Sequence, residues 1–258
     1  MAHKLVIEDV RKVFSSRGNE VVALDKTSFQ VKDGEFVTIL GPSGCGKSTI
    51  LRIVAGLEEP STGKVYLDGN EVKGPGPDRG MVFQSYTLYP WLTVEDNITF
   101  GLKLQGRSSK ERKEVAGHYL ELIGLRGFEK HYPIQLSGGM KQRVAIARAL
   151  ANDPKILLMD EPFGALDAQT RTIMQEVLLK AWEASKKTIL FITHDVEEAI
   201  FLADSVYVMT ARPGRLKENV PVNLSRPRDY NIKNDPEFFT LKTKLLGLIR
   251  EETLKAIK

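Results

Sequence analysis

Long apolar runs are missing from this sequence. Runs such as Ile156–Met159 and Thr188–Thr193 fall well short of the roughly 18–20 residues that a membrane-crossing helix requires. No secretory leader is expected either. Met1–Val10 is charged and alternates polar with apolar residues, so the chain is expected to stay in the cytosol unless another protein holds it elsewhere. Cysteine is nearly absent. The single Cys45 excludes an internal disulfide and agrees with a reducing compartment. Nor is there a strong excess of one charge. Lysine and arginine number 37 against 33 acidic residues, and the resulting +4 is too small to mark a nucleic-acid binder on charge alone. Repeats and low-complexity tracts are lacking. What remains is a 258-residue chain, 42% apolar and 27% charged, long enough for one large α/β domain or a core with a subdomain.

The periodicity divides the chain. Lys4–Val10 and Val22–Val31 alternate as half-buried strands do. Glu35–Leu40 is a β-rich run that feeds a glycine-rich loop, Gly41–Lys47, and Ser48–Leu57 then reads as a helix. Lys64–Leu67 is a short strand, Lys73–Arg79 a proline- and glycine-rich loop, and Met81–Phe83 a further strand candidate. From Thr93 to Asn152 the pattern turns helical, which predicts an inserted helical subdomain. Three buried-type strands follow, Ile156–Asp160, Thr188–Thr193 and Ser205–Met209, separated by helical stretches at Ala168–Ser185 and Val196–Ala203. That alternation implies a parallel sheet with helices packed on it. Val220–Arg228, with two prolines, reads as a linker, and Pro236–Lys258 as a polar helix on the outside.

Gly41-Pro42-Ser43-Gly44-Cys45-Gly46-Lys47-Ser48, followed by Thr49, fits the phosphate-loop pattern G-x-x-x-x-G-K-[ST], with a strand entering and a helix leaving. Glycines let successive backbone N–H groups turn toward anionic oxygens, and the helix points its positive end to the same place. Lys47 should reach the β- and γ-phosphates, and the Ser48 hydroxyl should ligate Mg²⁺. Cys45 reads as a small space-filling residue of the loop. The apolar run Ile156–Met159 ends in Asp160 and Glu161, which a buried strand delivers to the carboxyl edge of the sheet. There Asp160 suits Mg²⁺ through water, and Glu161 is placed to take a proton from an attacking water. His194 follows the next strand, at the edge where it could meet a γ-phosphate or the lytic water. His3, His118 and His131 have no such company and read as surface or packing residues.

Leu136-Ser137-Gly138-Gly139-Met140-Lys141-Gln142-Arg143 precedes an alanine-rich helix. Ser137 is a good helix cap and the glycines leave N–H groups open, so this is a second anion-seeking helix start in one chain. Since the phosphate loop already holds phosphates in cis, the second start suggests a nucleotide bound to a partner subunit.

With that segment the chain resembles ABC transporter nucleotide-binding subunits. The ordered blocks are the phosphate loop, Gln84, the signature Leu136–Met140, the strand Ile156–Glu161, the turn Gly164-Ala165-Leu166-Asp167 and His194, running through residues of about 5 to 210. The resemblance implies an α/β fold: a P-loop NTPase core with mixed sheet, an antiparallel β subdomain and a helical subdomain at about 93–152, within one nucleotide-binding domain over 1–258. The segment from about 218 onward would be a linker and helical tail. It implies ATP with Mg²⁺, two nucleotides sandwiched head-to-tail, and Ser137, Gly138 and Gly139 reaching the partner's nucleotide. Phe14 matches the aromatic that stacks on adenine, with a core phenylalanine as the bland alternative. Gln84 resembles the glutamine that senses Mg²⁺ and water, and Asp167 the aspartate that communicates across the dimer. The usual signature ends in Gln where this chain has Met140, a change beyond the glycines.

Pro77–Gln84, Tyr89–Val94 and Met209–Arg215 resemble importers for nitrate, sulfonates and taurine. Tyr86–Val94 also resembles sugar importers, but the roughly 45 residues after Pro213 leave little room for their long regulatory domain. The implied partners are a second ATPase subunit, identical or paired, transmembrane permease subunits and a solute-binding protein. The implied place is the cytoplasmic face of the membrane. Tyr86, Leu88, Tyr89, Trp91 and Leu92, within Gln84–Asn97, would form the docking surface, unless some of them fill the helical core. Rival readings are another importer branch, an ABC ATPase acting on nucleic acid, and a small-molecule P-loop kinase. The nucleic-acid enzymes carry coiled-coil or zinc insertions that the roughly 90 residues between the loop and the signature do not supply, and a kinase would lack Leu136–Met140.

Attaching a bulky thiol reagent to Cys45 is expected to abolish nucleotide binding, read by fluorescence titration with a labelled ATP. Undiminished affinity in the fully modified protein would contradict the loop assignment.

Overall fold

The computed structural model describes residues 3–16, 19–85, 87–164 and 166–257, and it separates into two compact units. Tyr86 of the expected docking surface and Ala165 of the turn after Glu161 lie outside the described residues.

The first unit comprises Met1–Gly76 and Lys186–Lys258. Its antiparallel sheet is built from β1 (His3–Ser16), β2 (Asn19–Lys32), β4 (Thr62–Leu67) and β5 (Asn70–Glu71), in the order β2-β1-β4-β5. The inward half of β2 alternates buried and exposed residues, as a one-sided sheet requires. Both β1 and β2 run further than the alternation predicts. Their outer ends pair through the backbone, Val13 with Val22 and Phe14 with Val21, where no single face is buried and no alternation marks the strand.

The second sheet of this unit contains β3 (Phe36–Leu40), β8 (Thr188–Thr193), β9 (Ser205–Met209) and β10 (Leu216–Pro221). β3 runs parallel to both β8 and β9, and β10 pairs antiparallel with β9, so the sheet is mixed. Every residue of β3, β8 and β9 is buried, which explains why they appear in the sequence as continuous apolar runs. Helix α1 (Lys47–Val54) follows β3, and α6 (Val196–Leu202) follows β8.

β10 takes only Val220 and Pro221 from the linker expected at Val220–Arg228, and Pro221 closes an edge strand, where it costs no interior ladder bond. The segment after it is tied down as well. Arg228 is buried, and its guanidinium donates to the carbonyls of Ile200, Phe201, Ala203, Val222 and Leu224. Arg226 donates to Leu202 O and to Asp204, whose other oxygen accepts the Phe36 N–H. Helix α7 (Pro236–Ile257) lays Phe238, Leu245 and Glu252 inward at seven-residue spacing. A carboxylate thus lies in an otherwise apolar stripe.

The second unit, Pro77–Ser185, holds the parallel pair β6 (Arg79–Val82) and β7 (Ile156–Asp160). It also holds the helices α2 (Val94–Leu104), α3 (Ser109–Leu122), α4 (Gly138–Ala151) and α5 (Ala168–Ser185). Thr93 caps α2, and Ser108 with Glu111 forms a capping box on α3. Val94, Ile98, Leu120, Ile123, Leu136, Val144 and Ala147 make the helical core. Leu88 and Met140 pack against it. No helix among the described residues is long and apolar enough to cross a membrane.

Replacing Arg228 with Leu leaves buried carbonyls without a donor and should lower stability by about 3 kcal/mol, read from the urea midpoint. A change within error would show that the segment is held by its apolar contacts alone.

Candidate functional site

In the first unit, β3 ends at Leu40 and the chain turns into the loop Gly41–Thr49. Gly44 and Gly46 take left-handed φ of 74° and 104°. At Gly46 the geometry admits nothing larger, since a Cβ would fall 2.7 Å from Leu24 Cδ2 and 2.8 Å from Ala23 O. Lys47 is buried, and its Nζ donates to the carbonyls of Gly41 (2.8 Å) and Pro42 (3.0 Å). The ammonium is thus held by loop oxygens it can exchange for those of an anion. Cys45 is buried beside Gly41, and burial pushes its thiol pKa up against the pull of Lys47. Pro42, Ser43, Gly44, Ser48 and Thr49 are partly or fully exposed.

The parallel register places Leu40 beside Thr193, so Gly41 and His194 leave the sheet at one edge. His194 is exposed there, while Asp195 turns away to cap α6 with bonds to the N–H groups of Glu197 and Glu198. Phe14 is 41% exposed on β1 with Lys12 Nζ 5.0 Å from its ring centre, so the core alternative does not hold.

In the second unit, the register Val82–Met159 sends Gln84 and Glu161 out of β6 and β7 at the same end. Gln84 is exposed, whereas Asp160, the last residue of β7, is buried. Glu161 has φ of 43°, uncommon for a side-chain-bearing residue, and its carbonyl accepts the Gly164 N–H at 3.1 Å. The start of α4 is capped by Ser137, which accepts the Met140 N–H at 3.3 Å. A Cβ on Gly139 would lie 2.9 Å from Thr170 Cγ2. Thr170 belongs to the cap of α5, where Asp167 accepts its N–H at 3.0 Å. That N–H, then the Thr170 side chain, holds the Asp167 carboxyl below its usual range. Signature and Asp167 turn therefore abut within one unit. Met140 contributes its N–H to the cap and its side chain to the helical core, which accounts for an apolar residue where Gln is usual.

The family model described as ABC transporter matches residues 24–164. This chain belongs to the ABC transporter family. The nitrate import ATP-binding protein NrtD of Synechocystis is 52% identical over 252 residues, 95% of this chain and 95% of that protein. The aliphatic sulfonates import ATP-binding protein SsuB of Bacillus thuringiensis subsp. konkukian is 48% identical over 240 residues, 93% of each. An ATP-binding cassette solved as a dimer in a post-hydrolysis state, bound to ADP and Pi, superposes with a TM-score of 0.77 at 35% identity. The match covers 86% of this chain and all of that one. The protein is thus an ATP-binding subunit and ATPase of the ABC transporter family, with nitrate and sulfonate import ATP-binding proteins among its close relatives.

Two features of this ABC subunit lie outside the six ordered blocks from the phosphate loop to His194. The first is Asn97, fully buried on α2. Its amide donates to the carbonyls of Tyr89, Leu92 and Thr93 and accepts the Tyr89 N–H, pinning the loop before the helix. The sequence signal was a lone polar residue on the apolar stripe Val94–Ile98–Leu102, which periodicity treats as noise. Trp91 is 70% exposed on that loop, while Leu88, Tyr89 and Leu92 are half-buried. The second is the loop Met209–Arg215. Its sequence marks a family branch, and its contacts with the phosphate loop are visible only in three dimensions.

Asn97→Ala should release the loop. Amide exchange in Tyr89–Thr93 is expected to quicken roughly tenfold or more, as the loss of several buried hydrogen bonds implies, by mass spectrometry. Unchanged protection there would mean that the loop is held by other contacts.

Proposed function

We propose that this chain is the ATP-hydrolysing subunit of an importer for a small anionic solute of the nitrate or sulfonate class, working as a head-to-tail dimer beneath a membrane permease. The observation that carries the reading is the pair of anion-seeking helix starts, the loop before α1 and the Ser137 cap of α4, one on each compact unit. One nucleotide does not require both from the same chain, and the dimeric relative with bound ADP and Pi supports sharing them between two copies.

In this reading Gly41–Thr49 wraps the phosphates, with Lys47 leaving its own carbonyls for the β- and γ-oxygens. Phe14 offers its exposed ring to adenine. Glu161 accepts a proton from the water that attacks the γ-phosphorus, ADP departs, and His194 with Gln84 orients that water. Ser137, Gly138 and Gly139 meet the γ-phosphate of the partner's nucleotide, and Asp167 conveys the partner's state. The donor set suits a magnesium ion carried by the nucleotide. Ser48, Asp160 and Gln84 would offer it the hard oxygens that such an ion takes. When bound, Mg²⁺ would neutralise phosphate charge there. The loop of Leu88, Tyr89, Trp91 and Leu92 would face the permease, with Trp91 as its most exposed apolar group. A solute-binding protein would complete the system. That arrangement holds the chain at the cytoplasmic face of the membrane.

Glu161→Gln should bind ATP with wild-type affinity and release phosphate at least about a thousandfold more slowly, while Mg-ATP drives it into dimers by light scattering. Normal turnover would remove Glu161 from its role as base. A strictly monomeric variant at high concentration, with its permease present, would remove the shared site.

A further inference from the structure

The phosphate loop has an outer side as well as an inner one, and in the first unit the outer side is braced. Arg212 Nε donates to Gly44 O at 3.1 Å, and a guanidinium nitrogen lies 3.1 Å from where a Gly44 Cβ would be. Two residues on, Gly214 lies so close that a Cβ there would fall 2.0 Å from Cys45 O. The brace is fixed to β2 by three bonds. Gly214 N–H donates to Ala23 O, and Gly214 O accepts the Asp25 N–H and the Thr27 hydroxyl. Thr210 closes the turn by accepting the Arg215 N–H and donating to Pro213 O.

The far end of the brace reaches α7. Ala211 N–H donates to Glu252 at 2.9 Å, and Glu252 is 1% exposed with Lys217 and Lys255 at 2.8 and 2.7 Å. Burial alone would raise this carboxyl's pKa, but the bonds from Lys217, Lys255 and Ala211 bring it down to about 2. The C-terminal helix is thus tied by an ionised, hydrogen-bonded group to the residue next to Arg212. An isolated buried carboxylate is costly, so its presence in the inward stripe of α7 calls for a fixed set of partners.

We propose that Arg212 and Glu252 are positioning residues for nucleotide binding: Arg212 holds the phosphate loop in its anion-ready turn, and Glu252 makes that hold depend on the docking of the C-terminal helix. The inference rests on Gly41–Thr49 being the ATP site. Neither side chain is required to touch the nucleotide. Arg212 acts through the Gly44 carbonyl, which must point outward for the loop's N–H groups to point in. Glu252 acts through the Ala211 N–H. The tail is then part of the nucleotide site's support.

The sole cysteine provides a reporter that needs no nucleotide, because Cys45 is buried in the loop and reacts only when the loop opens. In the full-length protein, Arg212→Ala should speed the labelling of Cys45 by a chromogenic aromatic disulfide about fivefold, the factor that one hydrogen bond's stabilisation gives. It should raise KM for ATP by a similar factor of about five while leaving kcat within about twofold, the split expected of lost uniform binding. Arg212→Lys, which can still reach the Gly44 carbonyl, should restore both. Glu252→Ala should move both readouts in the same direction as Arg212→Ala. Where that variant does not fold, Glu252→Gln, whose amide oxygen still accepts from Ala211 but carries no charge, should raise both about twofold. Wild-type labelling and KM in Arg212→Ala would overturn the proposal, as would a Glu252 variant indistinguishable from wild type in both. A wild-type protein that turned over no ATP would instead sink the functional reading, and the labelling rates would still decide whether the brace holds the loop.

Discussion

A loop that turns its N–H groups toward one point must send carbonyls the other way, and each of those then needs a donor. In this protein the requirement is met locally and at a distance. Lys47 covers Gly41 and Pro42 from within, and Arg212 covers Gly44 from without. Ala23 and Leu24 leave no space for a side chain at Gly46, and the Cys45 carbonyl leaves none at Gly214. Much of the first unit can be read from this demand. β2 supplies the wall, the turn after β9 supplies the brace, and α7 anchors that turn through a buried carboxylate.

The second unit solves a related problem with different means. Its anion-facing helix start depends on one serine cap and on glycine at a place where Thr170 leaves no space for a side chain. The chemistry resides in backbone N–H groups, so the side chain at Met140 is available for the helical core. The neighbouring Asp167 cap shares Thr170 with that helix start, so the two turns cannot be rearranged separately. Both helix starts thus rest on backbone geometry that a few side chains hold in place.

Strands buried on both faces were legible because burial writes a continuous apolar run: β7, β8 and β9 lie where Ile156–Asp160, Thr188–Thr193 and Ser205–Met209 predict them. The phosphate loop, the acidic strand end and the signature were legible because each needs particular residue types at fixed spacing. β10 was not, because an edge strand of polar residues ending in proline carries the same local signal as a linker. Arg228 was not, because its five acceptors lie on other segments and only the fold assembles them. The same holds for Arg212 and Glu252. They stand 168 and 41 residues from Gly44 and Ala211, the groups they bond, and no window along the chain contains both ends.

One contact in the helical unit sets a mechanical property. Arg148, a turn from the end of α4, donates to the carbonyl and hydroxyl of Thr87 and lies 5.3 Å over the ring of Tyr89. The same helix begins at Ser137. Were a partner to push on the Trp91 loop, these contacts would hand the push to a continuous rod of backbone hydrogen bonds whose other tip is the signature. Such a rod has little slack along its axis, so the two tips would have to move together.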